Sequence, residues 1–468
     1  MHSYERLTQL IRQQIDRQQL RTGDRLPSIR SLSLQSGVSK NTVIRAYVAL
    51  EDEGLIEPRE RSGFFVRSRP PLPAPNQDFP VPRQVRLGET ALRVIRAAEN
   101  PQGIALGSAH PAVQFPACRE FYRILGREAY RRINDGKMGS HYPDPAGFLL
   151  LRSLLAQRMS LGGRDLDAEE IVITNGAMEA ISLSLRTVAG AGDIIAVEKP
   201  AYYGSLNCIE ALGMKALEIP TRQGFGMDLD LLRSLLQQWP VKAILVNPTF
   251  NNPMGFSMPA DQRLQLLRIA ASYNLPIIED DIFGELHFGK SREPTLKQLD
   301  RDGRVLYCNS LSKTLHSDIR LGWVVPGRYL ERMAYLKYVS SMASPGIIQH
   351  AAARFLTGNQ YERHLRRVRR HYREARDAII AAIYRYWPEP LSVSQPEGGF
   401  LLWCVFPIEM DGDELYRRAR NLGIDIAPGS LFSCDGSFRN CIRLNFATWQ
   451  SNAAFLGALK TLGGLIAG

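Results

Sequence analysis

The sequence predicts two joined folds: a small helix-turn-helix module closed by a β-hairpin, and a large α/β domain with a mainly parallel sheet. Three observations predict this. Short apolar stripes at helical spacing, broken by a glycine turn, fill the first fifty residues. Six prolines crowd residues 70–82, PPLPAPNQDFPVP. Beyond them, β-branched runs alternate with amphipathic helical stretches for roughly four hundred residues, the rhythm of a sheet covered by helices on both faces.

Length and composition set the bounds. A chain of 468 residues admits two or three domains. With 44% hydrophobic and 22% charged residues, wholesale disorder is excluded. The net charge of +11 makes a polyanion partner worth testing. None of the six cysteines, Cys118, Cys208, Cys308, Cys404, Cys434 and Cys441, sits in a CxxC pair. That spacing suits neither a zinc site nor a disulfide framework, so a reducing cytoplasm is the expected setting. No run of eighteen apolar residues predicts a membrane helix, and the polar start does not read as a signal peptide.

The first helix shows as the stripe Tyr4, Leu7, Ile11 and Ile15. Pro27 and Ser28 open a second, with Ser28 as N-cap. Gly37 makes a tight turn, and Ser39 caps a third helix whose apolar face is Val43, Ala46, Tyr47 and Leu50. A helix, a glycine turn and a helix form the helix-turn-helix pattern, in which the second helix enters the major groove by its N-terminal end. LIEPRERSGFFV then reads as a hairpin with Arg59 and Arg61 at its tip. The bland reading is a helical cap with ordinary solvated charges. Against it, the first fifty residues hold 8 bases and 3 acids.

The string LPSIRSLSLQSGVSKNTVIRAYVALEDEGLIEPRERSGFFV resembles the winged helix of GntR-type transcription regulators over nearly the whole module. The resemblance implies double-stranded operator DNA as partner. It places Arg30, Ser39, Lys40, Asn41, Thr42, Arg45, Arg61 and Gly63 at DNA contacts. Ser33 stands where that family usually has alanine, a change expected to be tolerated.

The proline-rich stretch reads as an extended spacer, because proline lacks an amide donor and fixes its own φ. A proline-rich surface loop is the alternative. The expected division is a DNA-binding module at 1–69, a linker at 70–100 and a large domain at 101–465. In the large domain the strand runs are IVIT, IIAV, AILV, PIIE and VLYC, starting at Ile171, Ile194, Ala243, Pro276 and Val305.

VLYCNSLSKTLHSDIRLGW, residues 305–323, delivers Ser310, Ser312 and Lys313 from a strand, with Arg320 seven residues on. Lysine forms a Schiff base with an aldehyde, and hydroxyls with a guanidinium suit a phosphate. Alone, this is one lysine among 58 bases. Three other segments also follow strands: IVITNGAMEAI, NNPMG and PIIEDD. The first runs through Gly176 into a helix whose free amides at Ala177 and Met178 suit a phosphate. Ligands gather at the carboxyl ends of strands in such sheets, so one pocket can collect all of them.

In this order the segments resemble the fold type I aminotransferases (class I/II), which depend on pyridoxal 5'-phosphate, over roughly residues 100–465. That resemblance adds a smaller C-terminal α+β subdomain and a homodimer. It implies that Lys313 forms the internal aldimine and that Asp280 keeps the pyridine nitrogen protonated, the two catalytic positions. Asn252 bonds the ring hydroxyl and Tyr202 stacks on the ring. Ala177, Met178, Ser310, Ser312 and Arg320 hold the phosphate, with Tyr142 reaching the phosphate across the dimer. Arg443, in CIRLNFA, clamps an α-carboxylate. One departure stands out: Phe283 occupies the place of a tyrosine that commonly bonds the cofactor's ring oxygen.

Together the two resemblances point to the MocR group of bacterial regulators. The expected function is DNA binding controlled by an amino acid or amine that forms an external aldimine. A working aminotransferase carrying a DNA-binding module is the alternative, and a vestigial cofactor site is a third. His110, His141, His287 and His316 lack metal-ligand spacing and read as surface or packing residues, so no metal is expected. The basic run RHLRRVRRHYREARD, residues 363–377, reads as a solvated helix face rather than a nucleic-acid site.

Overall fold

The computed structural model describes residues 3–16, 20, 24–52, 55–59, 63–66, 79–87, 90–97, 103–112, 114–135, 142–160, 166–450 and 452–468. The chain divides into two compact units, Met1–Ala74 and Pro75–Gly468.

The first unit holds helices α1 (Ser3–Asp16), α2 (Ile29–Ser36) and α3 (Lys40–Asp52), then strands β1 (Ile56–Arg59) and β2 (Gly63–Val66). Ser28 caps α2 by accepting the Ser31 amide at 3.1 Å. Gly37 ends it at φ 66°, a left-handed conformation that a side chain disfavours. The strands pair antiparallel from Ile56 opposite Val66 to Arg59 opposite Gly63. Leu7, Ile11, Leu26, Val43, Tyr47 and Leu50 pack the core. The Tyr47 hydroxyl donates to the Pro27 carbonyl at 2.6 Å, fixing the start of α2 against α3. Burial pushes its pKa up to about 12. Ser33 is accommodated because its hydroxyl donates to the Val38 carbonyl at 2.7 Å.

The second unit is built on a nine-stranded sheet. Its strands are β3 (Arg83–Gln84), β5 (Val172–Thr174), β6 (Ile194–Lys199), β7 (Lys215–Arg222), β8 (Gly226–Met227), β9 (Val241–Val246), β10 (Ile277–Asp280), β11 (Val305–Ser310) and β12 (Gly322–Val325). They lie in the order β3-β7-β6-β9-β10-β11-β12-β5, with β8 attached to β7. β7, β6, β9, β10 and β11 run parallel, while β12 is antiparallel to both neighbours, so the sheet is mixed. All five expected strand runs lie in it. β6 and β11 are buried along their whole length, which is why they read as continuous apolar runs and not as alternation.

A smaller C-terminal subdomain follows. Strands β13 (Ser392–Val393), β14 (Leu401–Val405), β16 (Ala427–Pro428) and β17 (Cys441–Asn445) form an antiparallel sheet ordered β13-β14-β17-β16. Helices Gly412–Asn421 and Ala453–Ala467 belong to it. Strand β15 (Ile424–Asp425) pairs with β4 (Ile104–Ala105), which ties this subdomain to the segment entering the site.

The linker expected at 70–100 is corrected at its far end. β3 joins the large sheet beside β7, and α4 (Thr90–Ala97) packs Ala91 and Val94 into the core. Proline density stops at Pro82, and the apolar residues after it are drawn into burial. Residues 70–78 lie outside the described residues. Among the described residues no helix is long and apolar enough to cross a membrane.

Candidate functional site

In the second unit the site gathers at the carboxyl ends of β5, β9, β10 and β11. Lys313 is half-buried, and its Nζ donates to the Ala109 carbonyl at 2.7 Å. Burial, then the Arg443 charge, lowers its pKa to about 8, against a smaller opposing pull from Asp280. Asp280 ends β10 and is 3% exposed. Burial raises its pKa to about 7. Its carboxylate takes one long bond, from the Ile282 amide at 3.3 Å.

Asn247 organises the floor of the site. Its side chain donates to the Asp280 carbonyl at 2.6 Å and accepts the Asn252 amide at 2.7 Å. Asn252 in turn accepts Arg443 Nη1 at 2.9 Å. Arg443 is fully buried, also bonds the Gly107 carbonyl, and lies 5.1 Å from the Phe432 ring centroid and 5.7 Å from that of Tyr203. Its Nε has no hydrogen-bond partner among the described residues. Tyr202 lies against Tyr203, ring centroids 4.8 Å apart, and burial raises its pKa.

The phosphate-type residues form a second cluster. Arg320 sits at φ 46° and donates to Ser312 Oγ at 3.3 Å and to the Asn175 carbonyl at 3.2 Å. Ser310 Oγ accepts the Ser312 amide at 3.4 Å. The helix Ala177–Val188 starts at Gly176, whose φ is 82°. That positive φ favours glycine, and a Cβ there would lie 2.5 Å from the Arg320 guanidinium, which would have to shift. Ala177 and Met178 form its first turn, where free amides point outward.

These features fit pyridoxal phosphate. A dianion suits Arg320, the hydroxyls and the helix start. A protonated ring nitrogen would satisfy the buried, under-bonded Asp280 carboxylate. Tyr142 is not brought in: it is 77% exposed and bonds none of the residues above. Phe283 is fully buried edge-on to Phe400 at 5.1 Å, so it fills space and offers no donor.

Three residues escaped the sequence reading. Asn247 and Ala109 carry no motif of their own. His110, read as surface or packing, stands close to Lys313 and Arg443. Burial and these two charges lower its pKa to about 4.

In the first unit Arg30, Ser39, Lys40, Asn41 and Arg45 are exposed. Thr42 is half-buried, and its hydroxyl lies 2.9 Å from that of Ser39, which also caps α3 by accepting the Thr42 amide at 3.2 Å. Gly63 is exposed at φ 97°. Arg61 lies outside the described residues.

Comparison with known proteins supports both units. Residues 3–66 match the family of bacterial regulatory proteins called gntR, and residues 124–454 match aminotransferase class I and II. The uncharacterized HTH-type transcriptional regulator YjiR of Escherichia coli is 37% identical over 99% of this chain and 98% of its own. YdcR of the same organism, another uncharacterized HTH-type regulator, is 34% identical over 100% and 99%. Among solved structures, a kynurenine aminotransferase of Pyrococcus horikoshii aligns with TM-score 0.73 and 28% identity, over 82% of this chain and 95% of that one. LysN, the α-aminoadipate aminotransferase of Thermus thermophilus, was solved with a phosphopyridoxyl-leucine adduct. It aligns with TM-score 0.73 and 27% identity, over 81% and 97%. A GntR winged helix and a fold type I, pyridoxal-phosphate-type aminotransferase domain thus occur in one chain, which belongs to the MocR-type transcriptional regulators.

Proposed function

We propose that operator binding by this chain is controlled by an amino acid or amine taken up at its pyridoxal-phosphate site. One observation carries the reading. Arg443 and Lys313 bond to carbonyls of the same short segment, Gly107 and Ala109. A cation for a carboxylate and a nitrogen nucleophile thus sit side by side, as the two ends of an α-amino acid require.

Lys313 would hold the cofactor covalently, with Asp280 at the ring nitrogen, Asn252 at the ring oxygen and Tyr202 on the ring face. Ala177, Met178, Ser310, Ser312 and Arg320 would hold the phosphate. When bound, the cofactor supplies an electrophilic carbon for amines and an electron-withdrawing ring. Arg443 orients the ligand carboxylate, and Asn247 keeps Asn252 in place. Lys313 would gain freedom to move if a ligand amine took its place, and such a change would bias the chain between two arrangements.

A homodimer forms part of this reading. Tyr122, Tyr130, Ile133, Leu149 and Leu150 are exposed, and exposed apolar side chains of this size favour burial against a second copy. Tyr142 would then serve the partner's phosphate site. In the first unit, Arg30, Ser39, Lys40, Asn41, Thr42, Arg45, Arg61 and Gly63 would contact the DNA.

The test is an absorbance titration of the cofactor-loaded chain with amino acids and amines, run beside operator binding. A ligand that changes the spectrum should change operator affinity. Unchanged affinity at saturation overturns the reading. The depressed Lys313 favours one alternative, a working aminotransferase, because part of that amine is neutral near neutral pH. Steady release of a 2-oxo acid would support it.

A further inference from the structure

The helix Gln360–Tyr386 carries the basic run that the cofactor site leaves unused. It buries Tyr361, Leu365, Val368, Tyr372, Ala375 and Ile379. The opposite side exposes Arg363, Arg366, Arg367, Arg370 and Arg373. At 100° per residue these five fall within an arc of about 120° and span roughly 15 Å along the axis.

Other arginines of this helix serve the fold. Arg369 donates to the Glu285 carbonyl at 2.7 Å, and Arg376 to the Pro396 carbonyl at 2.7 Å and to Asp377 at 2.7 Å. The side chains of the five exposed ones make no hydrogen bond or ion pair among the described residues. The nearby Glu362 is already held by Arg158 at 2.7 Å. Like charges three and four residues apart repel along a helix. Exposed Glu374 and Asp377 fall on the same face and offset part of this at its C-terminal end, but from Arg363 to Arg373 the exposed charges are all positive. The expectation of an ordinary solvated face leaves that repulsion unexplained.

We propose that this arginine stripe binds double-stranded DNA by its phosphate backbone. The winged-helix reading of the small unit supplies the reason to take DNA as the polyanion. Guanidinium groups bond phosphate oxygens in pairs. A 15 Å stripe faces roughly four phosphates of one strand at about 3.4 Å per step.

The probe is a mixed-sequence duplex of about 50 base pairs, bound by the full, cofactor-loaded chain across a salt series. One variant combines Arg363→Gln, Arg366→Gln, Arg367→Gln, Arg370→Gln and Arg373→Gln. A second combines Arg30→Gln, Lys40→Gln and Arg45→Gln. The stripe variant should bind at least tenfold more weakly at low salt. Its slope of log affinity against log salt should be shallower by about 3 to 4.5. Its cofactor absorbance should match wild type, because none of the five residues touches that site.

A slope unchanged within one unit overturns the proposal. If weaker retention on immobilised polyglutamate accompanies that unchanged slope, the stripe belongs to an acidic protein partner instead. If the second variant binds like wild type while the stripe variant loses binding, the winged-helix reading fails and the stripe stands. Should the fivefold variant unfold, Arg363→Gln with Arg367→Gln alone should change the slope by about 1.8.

Discussion

Arg443 Nη1 lies 2.9 Å from Asn252 Oδ1, a bond that ties strand β17 of the small subdomain to the turn following β9. An incoming carboxylate meets a guanidinium already anchored at two points, so its orientation is set before the ligand arrives. Arg443→Gln removes the charge and keeps some bonding capacity. Charge-assisted bonds contribute about 1.5–3 kcal/mol, so amino-acid affinity should fall by roughly tenfold to a hundredfold. Simple amines, lacking a carboxylate, should be unaffected. Absorbance titration of the loaded protein compares the two classes.

Asp280 makes the cofactor-free chain sensitive to pH in a definite direction. Its pKa is about 7 when folded, against 3.8 ordinarily. Between those values the folded state binds more protons than the unfolded one, so stability falls as pH rises. The loss is at most about 4 kcal/mol and is complete above neutral pH. Asp280→Asn should remove this contribution. Denaturant unfolding at pH 5 and pH 8 should show the variant gaining on wild type at the higher pH. The buried Glu198 and Asp425 shift the same way, but both proteins share them.

Lys313 should capture added pyridoxal phosphate at a rate that rises with pH and levels off above about 8. The neutral amine is the nucleophile, and burial with Arg443 supplies it well below the ordinary lysine range. Stopped-flow absorbance of the cofactor-free protein measures the rate. A rise continuing toward pH 10 would contradict the assignment.

Phe283 packs edge-on to Phe400 with no exposure. Phe283→Ala should destabilise the large unit by about 3–5 kcal/mol through the cavity it leaves. Phe283→Tyr adds a hydroxyl at this buried position with a small increase in volume. It should shift the bound cofactor's absorbance-versus-pH midpoint, whereas a purely structural phenylalanine would leave that midpoint in place.

In the small unit, Tyr47→Phe removes the 2.6 Å bond to the Pro27 carbonyl. The cost should be about 1 kcal/mol. Thermal unfolding of this unit should move down by several degrees, and DNA affinity should weaken only as far as α2 and α3 lose their mutual position.

The sheet and the winged helix were legible because their signals are local. Apolar runs such as IIAV and VLYC report strands buried on both faces, and Ser28 and Gly37 mark the two ends of α2 by their own backbone chemistry. Lys313, Asp280, Asn252 and Arg320 were legible through segment order. Two features were not. β3 and α4 lay hidden behind the prolines, since a two-residue edge strand carries no period of its own. Asn247 and His110 escaped notice because their roles depend on residues distant in sequence, Asp280 for the first and Lys313 and Arg443 for the second.

Strand β10 and the residue after it, Asp281, sort their acids by parity. Even-numbered Asp280 faces the Lys313 side. Odd-numbered Glu279 and Asp281 face away: Glu279 accepts the Leu296 and Lys297 amides at 2.8 and 2.9 Å, and Asp281 takes Tyr307 and Arg292, each at 2.7 Å. Inserting or deleting one residue within this strand would exchange the two sets. The site would then receive a carboxylate already claimed by structural partners, and the structural network would lose its anion. Single-residue indels at β10 should therefore be more damaging than most substitutions there, because they change what every acid faces without changing which acids are present.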